Sequence, residues 1–184
     1  MIKLNKFINK LVELYINQDE DNFFVGYIID YDSSFCLIKS IDNKGCFSSY
    51  HLIRRSIISD IEVDTNYLDL INNYIKISKD IKIYDVLFLD TIDHEILCDK
   101  NTVKLLDYIL QQEYEEKKVV SLCLKDDDDV YFGYIDSITE SSIYLNLIDS
   151  LALKRYEQIE VLKSDIDTLQ VKGIELHLLD LIYK

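Results

Sequence analysis

Apolar and polar residues alternate from Leu11 to Ile16 ("LVELYI"), putting Val12, Leu14 and Ile16 on one face. After the polar cluster "NQDEDN" the alternation resumes from Phe23. Period-two alternation predicts half-buried β-strands, and a polar cluster between two such runs predicts a hairpin turn. The same order returns downstream: "VVSLCL" from Val119, then "KDDDDV", then "YFGYIDSI" to Ile138. The longest shared phrase is "VGYIIDYDSSFCLIKSID" (Val25 to Asp42) against "FGYIDSITESSIYLNLID" (Phe132 to Asp149). Two further short strands follow in each copy, "SSYHLIRR" with "SDIEV" and "YEQIEVLK" with "DIDTLQV".

Helical spacing frames the copies. "TVKLLDYILQQEYEEKK" places Val103, Leu106, Ile109 and Leu110 on one face, with Asn101 or Thr102 as a cap. "LNKFINKL" carries Leu4, Phe7, Ile8 and Leu11 at the same spacing. "YLDLINNYIKI" also reads as helix, with "ELHLLDLIY" as its counterpart after the second copy. The bridge "IKIYDVLFLDTIDHEILCDKN" alternates like a strand in its first half. Five short strands in each copy, with Gly26 or Gly133 inside the second, suggest a small, sharply bent antiparallel barrel. The expected fold is mainly β with α: two tandem five-stranded barrels, each preceded by a helix and packed as a pseudo-dimer. Residues 1–78 form the first, 79–101 the bridge and 102–184 the second.

The order "GYIIDYDSSFCLIKSID" followed by "SDIEV" resembles the Sm-like (LSm) small barrels, relatives of the SH3-like barrels. Gly26, Ile28, Tyr31 and Asp32 stand where that family's first motif has Gly, an apolar residue, an aromatic and Asp. In the second copy Gly133, Ile135 and Ile138 match, and Thr139 replaces the Asp. The resemblance implies five bent strands behind an N-terminal helix. RNA-binding members have an Asn after the Asp and a basic residue followed by Gly in their second motif. Here Cys36 and Ile143 lie near the first place, and neither "SIISDIEV" nor "VLKSDIDTLQV" contains the second pair. Fold is not function, so the site has to be argued separately.

Charge changes the picture next. The 184-residue chain has a formal net charge of −14. Up to Ser78 there are 8 basic against 11 acidic residues, and from Lys79 onward 12 against 23. A field of that sign repels phosphate backbones and anionic lipid; it fits a basic protein partner and, equally well, an acidic surface kept only for solubility. No apolar run approaches the roughly 20 residues of a membrane span, and "MIKLNKFINK" is not a signal-peptide pattern, so a cytoplasmic protein is expected. Absence of Pro and Trp with abundant Ile, Asn, Lys, Asp and Tyr is the composition of an AT-rich bacterial genome. Cys36, Cys46, Cys98 and Cys123 lack CxxC spacing and are expected as buried free thiols.

Candidate chemistry is sparse. Consecutive Asp without Gly makes "KDDDDV" an exposed turn rather than a Ca²⁺ loop. His94 and Cys98 are spaced i,i+4 beside Glu95 and Asp99, too few ligands for a metal site. His51 and His177 sit in apolar runs without a nucleophile pattern, and no phosphate-binding glycine motif is present. No enzyme, cofactor or metal is expected. Tyr27, Tyr31, Tyr134, Tyr144 and Tyr156 read first as strand packing. The candidate partner surface comprises Tyr31, Lys39, Arg54 and Arg55, with Lys154, Arg155 and Tyr156 on an edge strand open to pairing. The expected role is a non-enzymatic interaction module built from duplicated barrels, an adaptor or an immunity-type binder. Its alternative is an Sm-like RNA-binding protein using Tyr31, Lys39, Arg54 and Arg55, and homo-oligomers through edge strands are a further expectation.

Overall fold

The structure, a computed structural model, describes residues 2–17, 23–92, 104–149 and 154–183, with only the backbone course of Asp149 and residues 154–156. The strands fall where alternation puts them. The first five are β1 (Leu11–Ile16), β2 (Phe23–Tyr31), β3 (Phe35–Ile41), β4 (Phe47–Arg54) and β5 (Ile58–Glu62). Helices α1 (Asn66–Asp80) and α2 (Leu105–Glu116) follow. Then come β6 (Val119–Leu124), β7 (Val130–Ile138), β8 (Ser142–Asp149), β9 (Lys154–Leu162), β10 (Ile166–Val171) and α3 (Ile174–Tyr183).

These strands do not close into two barrels. They form one open ten-stranded antiparallel sheet in the order β5-β1-β2-β3-β4-β10-β6-β7-β8-β9. A barrel must pair its first strand with its last. Here β5 pairs with β1 and β9 with β8, so both remain edges of the described sheet. The deciding ladder is β4 with β10, from Tyr50↔Val171 to Ile53↔Thr168: β4 spends its second edge on the downstream strand. The Sm-like and SH3-like barrel expectation is therefore corrected, and the adaptor, immunity and Sm-like RNA-binding readings that presupposed barrels fall with it. The copies of the repeated phrase become two stretches of the same sheet, each with its own internal strand order, instead of separate tandem barrels.

Nor does a helix precede each copy. Leu4–Phe7 makes only a short 3-10 turn. Ile8 then bridges Ile28, and the Asn9 amide donates to the Ile28 carbonyl at 2.8 Å, pinning the chain to β2 before a longer helix can form. The bridge supplies no strand before Ile92: residues 81–92 run as turns, called here the strap. Asp85 receives the amides of Leu89 (3.0 Å) and Asp90 (2.9 Å), while Asp90 is held by Tyr50 and Lys39. The strap is thus fixed by carboxylate contacts that alternation does not encode.

Gly26 and Gly133 have a steric reason. A Cβ on Gly26 would stand 2.1 Å from the Lys39 carbonyl oxygen, and one on Gly133 2.5 Å from that of Asn146. The register shifts two residues further along each strand, at Ile28/Asp30 and Ile135/Ser137. Close backbone approach followed by a bulge curves both strands.

The main core explains why the halves cohere. Leu105, Leu106, Ile109 and Leu110 of α2 pack in one cluster with Leu37, Tyr50 and Leu52 from the first half and Leu122, Leu145 and Leu169 from the second. Smaller clusters lie under the N-terminal turn, α1 and α3. Among the described residues no helix is long and apolar enough to cross a membrane.

Candidate functional site

The residues singled out in the sequence occupy separate places. Arg54 lies over the Phe35 ring, 4.8 Å from its centroid. Its guanidinium donates to the carbonyls of Lys163 (3.1 Å) and Ile166 (2.9 Å) and to Asp167 Oδ1 (3.1 Å), clasping β4 to the approach to β10. Arg55 stands 5.4 Å from the Tyr31 ring and donates to the carbonyls of Asp32 (2.6 Å) and Ile2 (3.2 Å). Lys39 is paired with Asp90 of the strap. The structure thus brings Tyr31 and Arg55 together, sends Arg54 to the other half and gives Lys39 to the strap. Lys154, Arg155 and Tyr156 lie on β9, where their side chains fall outside the described residues, as do His94, Cys98, Asp99 and most of "NQDEDN".

Other expectations can be placed. Cys36 is buried, its thiol pushed up to about 12 by desolvation, whereas Cys46 and Cys123 are only half-buried; all three are free. "KDDDDV" turns between β6 and β7, with Asp127 accepting from the Asp129 amide and the Tyr131 hydroxyl. His51 packs against Phe24 with the rings tilted, and its Nε2 lies 2.9 Å from Ser49 Oγ; burial pushes its imidazole down to about 4. Tyr27, Tyr31 and Tyr134 pack against core clusters. Among the described residues no group of three or more His, Cys, Asp or Glu is arranged to hold a metal.

The site that the sequence reading missed is a cavity of about 270 Å³ between the strap, α2, the start of β6 and α3. Leu87, Phe88 and Leu89 form one apolar wall, Val119 and Leu176 another. Its polar groups are Thr91 of the strap, Glu113 and Glu116 from α2, Lys118, Lys172 before α3, and His177 and Asp180 on α3.

Helical geometry brings two carboxylates inside. Leu106, Ile109 and Leu110 define the buried stripe of α2, and Glu113 continues it by one turn. On α3, Asp180 follows Leu176 at i+4. Each carboxylate is only 1% exposed. Asp180 is well served: Lys118 Nζ donates at 3.1 Å and the Tyr134 hydroxyl at 3.4 Å.

Glu113 is not. Neither of its carboxyl oxygens has a hydrogen-bond partner among the described residues. Lys172 Nζ stands 3.6 Å from Oε1, near enough to attract but beyond a hydrogen bond, and lies closer to Glu116, at 3.0 Å. Burial, opposed by Lys172 and reinforced by Glu116, pushes the Glu113 carboxyl up to about 7. A buried acceptor without a donor is destabilising and calls for an explanation.

Two more features set the cavity apart. Phe88 is 82% exposed, and both Phe88 (φ 54°) and Lys172 (φ 52°) adopt left-handed backbone that L residues rarely take. Comparison of the chain with protein-family models, curated proteins and solved structures found no match. The cavity therefore has to be read from its own chemistry.

One signal for it was in the sequence. Extending the Leu106–Ile109–Leu110 period reaches Glu113, and the stripe through Leu176 and Leu179 takes in Asp180. A carboxylate in an apolar seam marks a buried charge. The strap wall had no such signal.

Proposed function

We propose that the protein is a non-catalytic, cytoplasmic binding protein whose partner is another protein with a basic contact surface. The observation that carries this reading is the chain's acidic balance, a net charge of −14, together with the acid-rich cavity where Glu113, Glu116 and Asp180 gather beside Lys118 and Lys172. The cavity holds three carboxyl groups against two ammonium groups, an acidic excess in keeping with a basic partner. The chain's net charge of −14 favours the same class of partner and would accelerate its approach. The cavity is smaller than the roughly 300–1,000 Å³ of pockets that enclose a cofactor or drug-sized ligand.

The test is purification of the tagged chain from native extract at low and high salt. The expected result is a stoichiometric protein of basic isoelectric point, released as salt rises, with an eluate free of nucleic acid by absorbance ratio. Nucleic acid in the eluate, or partners with no basic bias, would overturn the reading. Self-association through edge strands is a second reading, favoured by the outer edges of β5 and β9, which pair with no further strand among the described residues. Light scattering on the same purified chain would show it as a mass above one protomer.

A further inference from the structure

We infer that the exposed flank of α1 is the surface on which two copies of this chain pair, helix against antiparallel helix. This goes beyond the basic-partner reading and does not depend on it.

α1 carries two apolar stripes. Leu68, Ile71 and Ile75 are buried in one cluster with Val25 and Ile41 of the sheet. Tyr67, Leu70, Tyr74, Ile77 and the C-cap residue Ile81 form the second, and each is between 37% and 59% exposed. Their spacing alternates three and four residues, which is the seam along which one helix takes another. At about 100° per residue the seam fills an arc of about 80°, and Asp69, Lys76, Lys79 and Asp80 all fall outside it. In a chain where 29% of residues are charged, an exposed flank of five apolar residues and no charge is composed like the centre of a protein interface. Phe23 meets the Tyr67 ring edge-on, with centroids 6.0 Å apart, so the first ring of the seam is already held.

The seam fits its own copy. Turned end for end about a two-fold axis, it sets Tyr67 opposite the second copy's Ile77, and Leu70 opposite the second copy's Tyr74. Every ring then meets an aliphatic side chain, and the two helix dipoles run in opposite directions. A foreign helix would have to supply that alternation, whereas a second copy brings it. At roughly 200 Å² for a fully exposed large side chain, the five leave on the order of 450 Å² open on each copy. A pair would cover about 900 Å² of such surface. With about 60% of an interface apolar, the whole contact reaches roughly 1,500 Å², the size of a stable one. α3 also exposes Leu178 and Ile182, but its ten residues against the fifteen of α1 offer fewer layers.

Salt dependence follows from the placement of charge. The net charge of −14 on each copy opposes pairing, and no charge within the seam favours it, so added salt removes only the repulsion.

The experiment is sedimentation equilibrium of the purified full chain over about a hundredfold range of concentration, at low and at high salt. The mass is expected to rise to twice that of one protomer, with pairing that tightens as salt increases. Capture of a basic partner weakens with salt instead, so the two kinds of association differ in sign. Leu70→Glu leaves the buried stripe intact and puts a carboxylate against the second copy's Tyr74; it should weaken pairing on the order of a hundredfold. Dilution of the unaltered ¹⁵N-labelled chain locates the contact without any substitution: amide shifts at residues 67–81 should move in step with the mass. If the variant does not fold, that measurement decides alone. A single protomer at every concentration, shifts confined to β5 and β9 or to α3, pairing that loosens with salt, or undiminished pairing of Leu70→Glu would each overturn the α1 seam. The basic-partner reading stands or falls separately, on its own capture experiment.

Discussion

Glu113 occupies a position where the period of α2 calls for an apolar side chain, and that placement has a measurable cost. Its carboxyl is held up near 7, chiefly by burial, against an ordinary value of 4.5. A group whose folded value is raised binds its proton more tightly in the native state. Its contribution to stability is complete below about pH 4.5 and is lost as pH rises through about 7. Glu113→Gln keeps the shape, cannot ionise and leaves Lys172 its 3.0 Å partner Glu116. The variant should therefore gain on the parent chain as pH rises, with a ceiling of about 3 kcal/mol by pH 8. Melting temperatures of both proteins between about pH 5 and about pH 8 measure this directly. A difference that does not change with pH would mean that Glu113 ionises freely in the native state.

At the scale of elements, Arg54 joins β4 to the segment entering β10, and alternation gave no hint of that role. Its neighbour Arg55, identical in type, stays within the first half against Tyr31 and the Asp32 carbonyl. The difference arises at the strand's end: Arg54 is the last residue of β4, whereas Arg55 already lies in the turn to β5. Arg54→Ala leaves the carbonyls of Lys163 and Ile166 and the Asp167 carboxylate without this donor and removes the contact with Phe35. The expected loss is about 3 kcal/mol, and Arg54→Lys should recover little because one ammonium cannot reproduce the fork. Urea denaturation with an unchanged slope would report it as a shifted midpoint. A loss within ~0.5 kcal/mol, the range of an ordinary surface change, would show that the clasp carries no weight.

The elements themselves were legible. "LVELYI", "SSYHLIRR" and "DIDTLQV" announce strands because each buries one face, and burial of one face writes period two into the sequence. α2 was legible for the same reason at period 3.6. Closure was not, because a strand that pairs back within its own copy and one that pairs onward present the same alternation. What distinguishes them here is the choice of neighbour by β4, settled by Arg54 and by residues of both halves gathering under α2. The cavity was half legible: Glu113 and Asp180 break apolar stripes, but the wall from Leu87 to Leu89 depends on strap contacts to Asp85 and Asp90. No local period records those contacts.

For the whole molecule the continuous ladder and the shared core have a thermodynamic consequence. Separate barrels could unfold separately, each in its own transition. In the observed sheet, removing the second half would strip β4 of its hydrogen-bonded neighbour β10 and take Leu122, Leu145 and Leu169 out of the cluster containing Leu37, Tyr50 and Leu52. Removing the first half would uncover α2 and β10 likewise. Neither half keeps its apolar surface from water without the other, so their stabilities are coupled through the hydrophobic term that dominates folding. Scanning calorimetry of the intact chain should give one transition, with calorimetric and van't Hoff enthalpies in agreement. At about 0.7 kcal/mol per residue near 60 °C, a 184-residue unit unfolding together should absorb roughly 130 kcal/mol. Two resolved transitions, each carrying about half that heat, would mean that the β4–β10 ladder and the core beneath α2 do not couple the halves. A single transition of full size would place the strap, α2 and α3 in one cooperative unit, because α2 lies in the core that both halves share.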